Sequence, residues 1–506
     1  MNIPEVVNKP IKRRDFMKLG AAGVATVFLS THLPFMGTKN AFAATQTLDV
    51  TITDALKDMV THNSINTAQC YFWIYQMKAN GVAVPPDCPG PTIMAIKGDT
   101  ITINITNALD ENHSFFIPGN LPTDPPIFDS GPILPGATVS KVFTASQSGA
   151  FLYYDNLNDP VNRVMGLHGA MVVRPAVAAA GHKFTPYDNP TPHVQNIYDA
   201  FGTTDYFPGL SWEDGDPATN TPPFRTYVWL DHQASPNLFA EVGNFTPGQD
   251  YPAAQFLQKF LHDPFTGNTL LNPNNVPQYF TINGQSGFFS HFSPAITPMN
   301  RVGEPIVIHI INAGLWEHSM HIHCNHVYVT SINGAPNPNP IWIDVYTIRP
   351  MDRIDYTVPY MRPPDNANVR GIGRPDAPLK TISGHPVWPP VDEFQVFIPP
   401  VGTLAALGSP IDLAQRMSPL CFPMHDHSEA SQTAQGGNYN CGLISGMYVV
   451  GDRNAQSQGL GNFMDFPMDA DFAGMYRNIR GVSGSNPNPV TDPPITGLAA
   501  GPRPNG

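Results

Sequence analysis

Thr100-Ile-Thr-Ile-Asn-Ile-Thr106 alternates a β-branched apolar residue with a polar one at every step. Side chains in a strand point to opposite faces in turn, so this period of two describes a half-buried strand. The reading extends outward. Phe143 to Tyr154 and Gly169-Ala-Met-Val-Val-Arg174 continue the strand signal, a second set starts at Arg225-Thr-Tyr-Val-Trp-Leu230, and a third starts at Pro305-Ile-Val-Ile-His-Ile-Ile311 and ends near Val450. The chain has 506 residues, 55 of them Pro, and only 13% are charged. Proline is excluded from helix interiors and central strands, so short strands joined by Pro/Gly turns are expected, with few helices. These features predict an all-β chain of three β-sandwich domains in series, over 47–178, 179–300 and 301–452. An irregular tail rich in Asn, Pro and Gly follows at 453–506. The net charge of −13 argues against nucleic acid as a partner.

Two histidine clusters carry the chemistry. One is His318-Ser-Met-His321-Ile-His323-Cys-Asn-His326; the other is Met424-His425-Asp426-His427. Residues i and i+2 share one face of a strand, so His321 and His323 would point one way, and so would His425 and His427. Two such strands meeting would offer four imidazoles to one site, with Asp426 on the opposite side. A lone buried His is usually a hydrogen-bonded core residue, but two His-x-His pairs fit a transition metal better. Of the five cysteines, Cys70 and Cys88 form one near pair in sequence and Cys421 and Cys441 another; their pairing is left open. Residues 1–43 read as an export signal: Lys12-Arg13-Arg14-Asp15-Phe16-Met17-Lys18 has the twin-arginine pattern, a modest apolar stretch runs from Leu19 to Leu29, and Ala41-Phe42-Ala43 offers a cleavage site. Handling by the twin-arginine machinery and a periplasmic or secreted location are expected.

Several motifs together resemble the multicopper oxidases. Pro89-Gly-Pro-Thr-Ile-Met-Ala-Ile-Lys-Gly-Asp-Thr100 looks like their opening strand, Pro135-Gly-Ala-Thr and Gly149-Ala-Phe-Leu-Tyr-Tyr154 like the end of their first domain, and Phe280-Thr-Ile-Asn-Gly284 like the entry to their third. His318-Ser-Met-His-Ile-His323 is similar to their His-Pro-x-His-x-His motif, with Ser in place of Pro, and His425-Asp-His427 falls where they have His-Cys-His. The resemblance implies cupredoxin-like Greek-key domains, copper as cofactor, and a small-molecule or metal-ion substrate. It also exposes departures. The family's first two His-x-His motifs fall at Phe116-Ile-Pro118 and Tyr154-Asp-Asn156, which hold no histidine, so only His321, His323, His425 and His427 of the cluster set remain. His318 matches one ligand of the family's blue copper, but Asp426 stands where the cysteine belongs, and blue-copper colour depends on a thiolate bond. No His follows soon after His427; residues 428–441 read as an insertion. His168 and His113, near the lost motifs, are further candidates to reach the cluster, whereas His326 and His232 read as structural.

The resulting expectation is an exported copper protein, an oxidoreductase with a reduced site of one or two coppers at His321, His323, His425 and His427, assisted by His318 and His168. The alternatives are a non-catalytic envelope or cell-division protein of the same fold, or a protein of copper sequestration and tolerance.

Overall fold

A computed structural model describes residues 26–28, 45–60, 67–201, 224–261, 277–291, 293, 296–302, 305–323, 325–359, 420–432 and 442–452. The all-β expectation holds: the described strands form four sheets. The N-terminal part contributes two of them. One carries, in order, Val82–Ala83, Thr67–Ala79, Thr45–Val60, Thr100–Asn107 and Thr138–Thr144; the other carries Thr26–Phe28, Gly90–Ile96, His168–Arg174, Gly149–Tyr154, Phe116–Ile117 and Phe128–Asp129. Burial along Thr100–Asn107 alternates residue by residue, with Ile101, Ile103 and Ile105 inside. These face Phe151, Tyr153, Met171 and Val173 of the second sheet across one apolar core. Tyr153 is a core residue whose hydroxyl donates to Pro91 O at 2.7 Å.

The C-terminal part builds a second sandwich. Its first sheet runs Tyr279–Ile282, Arg225–Ala234, Ile306–Asn312, Arg353–Val358, Val327–Ile332 and Ala335–Ile343; its second runs Met299–Val302, Ile444–Asp452, Leu420–Asp426, His318–Ile322 and Val345–Ile348. Ile306, Ile308, Ile310 and Tyr356 meet Met320, Ile322, Met424 and Met447 between them. The methionines flanking the histidines are therefore core residues.

Three sandwiches in series were expected; the described strands form four stacked sheets, two on each side of the junction. The strand Arg225–Ala234, expected to found a middle domain, pairs in parallel with Ile306–Asn312, from Arg225 opposite Ile306 to Asp231 opposite Asn312. Ile306–Asn312 is buried along its whole length, as a strand covered on both faces must be. Its second cover is the N-terminal sandwich: Ala150, Leu152, Ala170 and Val172 pack on Val228, Leu230 and Ile311. The described part of 179–300 is otherwise helical at Pro192–Ala200, Pro236–Gly243 and Ala253–Phe260. The first two start on a Thr191 or Ser235 side chain that accepts a backbone N–H, followed at once by Pro, which tolerates the first helical turn. No described helix is long and apolar enough to cross a membrane. The twin-arginine residues, the cleavage site and the 453–506 tail lie outside the described residues.

Candidate metal centre

The strands His318–Ile322 and Leu420–Asp426 run antiparallel, with Met320 opposite Asp426, His321 opposite His425 and Ile322 opposite Met424. This register sorts the two motifs by face. Met320, Ile322, Met424 and Asp426 point into the sandwich, while His321 and His425 point out of it. The main chain clips the two segments together beyond the pairing: His427 N donates to Ser319 O and His323 N to Pro423 O, at 2.9 and 3.0 Å.

Four imidazoles gather on the outer face. Ring centroids of His321 lie 4.8 Å from His323, 5.4 Å from His425 and 5.1 Å from His427. One nitrogen each of His321, His323 and His425 lies within 4.8 Å of the other two, and Nε2 of His323 is 2.8 Å from Nε2 of His425. The tautomers follow from the partners. Nδ1 of His321 meets Asp344 O at 3.1 Å and Nδ1 of His425 meets Asp426 O at 2.9 Å. A carbonyl only accepts, so both Nδ1 atoms carry the proton and both Nε2 atoms are left as lone pairs, that of His425 facing Nε2 of His323. Burial, reinforced for His323 by the neighbouring imidazoles, lowers the pKa of His321 and His323, which keeps them in the neutral form that metals require. An imidazole–metal bond is about 2 Å, so donors on one ion sit within about 4 Å of each other. The three donors, within 4.8 Å of one another, stand close to that spacing, and the His427 ring lies 5.1 Å from that of His321.

His318 and His168 are placed elsewhere. His318 is fully buried; its Nδ1 donates to Asp426 Oδ2 at 2.6 Å, and the Gln233 amide lies 2.7 Å from its Nε2. Both ring nitrogens are occupied on the inner face, away from the four imidazoles. Asp426 is equally committed. It accepts from Ser319 N at 2.6 Å, from Ser428 N at 3.0 Å and from the Ser431 hydroxyl. Against burial, which pushes its pKa up, His318 and these donors hold the carboxyl below its ordinary value. The inserted segment thus supplies, in Ser428 and Ser431, support for Asp426. His318 and Asp426 form a carboxylate–imidazole pair inside the sandwich. His168 is buried beside His232 and Cys88 at the junction of the two sandwiches. His326 stacks on Trp342, and His113 is buried against Asp155. Cys70 and Cys88 are free buried thiols; Cys324 and Cys441 lie outside the described residues.

Gln233, Asp344 and Ser431 escaped the sequence reading. Gln233 acts from a strand remote in sequence, Ser431 reaches Asp426 from the short helix Glu429–Gln432 just after it, and Asp344 acts through its carbonyl, which no side-chain motif encodes.

Residues 66–177, in the N-terminal sandwich, match the multicopper oxidase family model. No curated protein sequence matches the chain. Among solved structures the chain is similar to a blue copper oxidase from Nitrosomonas europaea, at 17% identity and a TM-score of 0.45 over 80% of this chain and 86% of that one. It is similar to the multicopper oxidase mgLAC at 16% identity and 0.43, over 81% and 86%, and to a copper nitrite reductase from Nitrosomonas europaea at 16% and 0.39, over 80% and 94%.

Proposed function

We propose that this protein is an exported copper-binding oxidoreductase whose site of one or two coppers is held by His321, His323, His425 and His427. The observation that carries the reading is the convergence of three imidazole nitrogens within 4.8 Å, two of them with the opposite nitrogen fixed as a donor to a carbonyl. Imidazole donors of this kind suit copper, which when bound would exchange single electrons with a substrate.

The protein's own groups set what can happen there. His321 and His323 are half-buried and His427 is exposed, so a small molecule or a metal ion can reach the imidazoles directly. The Asp344 carboxylate, 3.7 Å from Nδ1 of His321, offers a negative charge at the rim that favours a cationic substrate. Asp426 and His318 hold the strand pair from beneath. Phe116, Pro118, Tyr154 and Asn156 stand where the family's other cluster ligands belong, and Asp426 stands in place of the thiolate that would accept electrons. A laccase cycle, which needs a blue copper for electron entry and a full three-copper cluster, is therefore not expected. The electron transfer would occur at the four-histidine site itself.

Metal analysis of the exported protein, with electron paramagnetic resonance, tests the reading. A paramagnetic copper in a nitrogen environment is expected, and His321→Ala or His425→Ala should remove that paramagnetic signal together with any oxidase activity. A wild-type protein that binds no transition metal would overturn the proposal, as would phenol oxidation that survives both substitutions.

A further inference from the structure

A second donor cluster lies where the two sandwiches meet, on the far side of the sheet pair from the surface histidines. Cys88 precedes the strand Gly90–Ile96, His168 opens the strand His168–Arg174, and His232 sits within Arg225–Ala234. A sulfur and two ring nitrogens lie within 4.8 Å of one another, and all three side chains are at most 2% exposed. The two rings are 4.4 Å apart between centroids.

Both imidazoles are oriented by consecutive carbonyls of one turn. Nδ1 of His168 donates to Arg163 O, and Nε2 of His232 donates to Val164 O, each at 2.7 Å. That leaves Nε2 of His168 and Nδ1 of His232 as lone pairs. Nε2 of His168 is fully buried and has no hydrogen-bond partner, which is costly for an imidazole nitrogen. A second ring nitrogen held by a backbone carbonyl is the usual arrangement of a metal-binding histidine. The turn itself is shaped to approach the sulfur: a Cβ on Gly166, at φ +123°, would sit 3.0 Å from Cys88 Sγ and 2.4 Å from Trp73 O. Lys57 anchors the cysteine from outside, donating to Cys88 O at 2.7 Å and to Asp87 at 2.6 Å.

We propose that Cys88, His168 and His232 bind one monovalent copper ion, which fastens the N-terminal sandwich to the C-terminal one. The donor set selects the ion. A thiolate favours soft metals, and structural zinc is almost always held by four protein ligands, whereas these described residues supply three. Charge decides further: Cu⁺ with one thiolate is neutral, while a divalent ion would leave a net positive charge in an apolar junction walled by Phe72 and Phe239. Binding exchanges the thiol proton for the metal, and that proton leaves to solvent with no change in oxidation state. Because the site is closed, the ion enters during folding.

The test uses the full chain carrying His321→Ala and His425→Ala, so that the surface site cannot contribute. It is expressed with copper and purified without oxygen. One copper per chain is expected, and X-ray absorption should show a single sulfur neighbour at about 2.3 Å, a metal–thiolate distance. Cys88→Ser should lose both the copper and the sulfur signal, and His168→Gln should weaken Cu(I) retention by more than about 10-fold against a Cu(I) chelator. Cys70→Ser should change neither. Copper absent from the starting chain, copper with only nitrogen neighbours, copper retained after Cys88→Ser, or a Cys70–Cys88 disulfide in the purified protein would each overturn the proposal. The sulfur signal is read on folded protein, so a Cys88→Ser chain that fails to fold leaves the test standing.

Discussion

The two sandwiches contain the same corner, built once with aromatic rings and once with imidazoles. In the N-terminal one, Phe116 pairs with Tyr154 across antiparallel strands, their rings 5.5 Å apart at 79°. In the C-terminal one, His321 pairs with His425, their rings 5.4 Å apart at 78°. Beneath each pair lies a buried histidine and aspartate: His113 with Asp155 at 2.7 Å, and His318 with Asp426 at 2.6 Å. Each aspartate also accepts the backbone N–H of a serine, Ser114 or Ser319, that follows the histidine. His113-Ser-Phe-Phe-Ile-Pro118 and His318-Ser-Met-His-Ile-His323 are thus two versions of one motif. The backbone and the buried pair set where the outer side chains stand. Which chemistry stands there is decided by a few residues: Phe116 and Pro118 against His321 and His323, Tyr154 and Asn156 against His425 and His427.

The largest difference between the corners should appear in metal binding. His321→Ala or His425→Ala should abolish copper binding at the surface site, while Phe116→Ala and Tyr154→Ala leave it intact; equilibrium dialysis of each variant reads this. If copper were lost equally from the N-terminal variants, the aromatic corner would be part of the site and the contrast would fail. The buried pairs should then behave alike. Asp426→Ala and Asp155→Ala each strand a buried histidine, and removing one member of a buried pair costs about 3–5 kcal/mol. Urea unfolding of the two variants should show similar losses. A much smaller loss for Asp155→Ala would mean that the two corners share shape but not energetics.

The strand pattern was legible because Ile101, Ile103 and Ile105 repeat at the period of a strand, and the clustering of the histidines because His-x-His places two imidazoles on one side of the chain. What stayed illegible depends on partners far away in the chain. Nothing near Arg225–Ala234 signals that it pairs in parallel with Ile306–Asn312, since register between remote strands is set by packing on both faces. His318 and His168 read as partners of the four imidazoles because spacing alone does not reveal that Asp426 and Gln233 take up the nitrogens of His318 on the inner face, or that His168 lies beside His232 and Cys88 instead. The repeated corner was itself hidden. Phe116 and Pro118 stand on the same backbone arrangement as His321 and His323, but they share no side-chain chemistry by which sequence could align the two corners.

A smaller contrast concerns pH. Burial pulls the pKa of His113 down, but the hydrogen bond to Asp155 and the nearby charges of Asp155 and Glu111 outweigh it, so the pKa is raised above the ordinary 6.5. The folded state therefore holds this proton more tightly than the unfolded chain. Its contribution is complete below about pH 6.5 and is lost as the pH rises through the folded value. The stability difference between wild type and His113→Gln should shrink by up to about 1.4 kcal/mol per pH unit in that window. Unfolding curves measured from pH 6 upward, in steps of about one unit, would show it. A difference that stays flat would mean that His113 is neutral throughout and that its bond to Asp155 does not depend on charge.

The smallest effect is the most direct comparison of the two corners. An edge-to-face aromatic pair contributes about 0.5–1.5 kcal/mol beyond its buried area. A double-mutant cycle on Phe116→Ala and Tyr154→Ala should give a coupling of about that size, the same with and without copper. The matching cycle on His321→Ala and His425→Ala should give a small coupling without copper, because neither ring can donate strongly to the other while each Nδ1 is engaged with a carbonyl. With copper the coupling should become large, since either substitution alone removes the ion whose binding stabilises the fold. Copper-dependent coupling in the Phe116–Tyr154 cycle would place metal in the N-terminal corner. Copper-independent coupling in the histidine cycle would mean that the two imidazoles interact as packing partners, in the same way as the rings they correspond to.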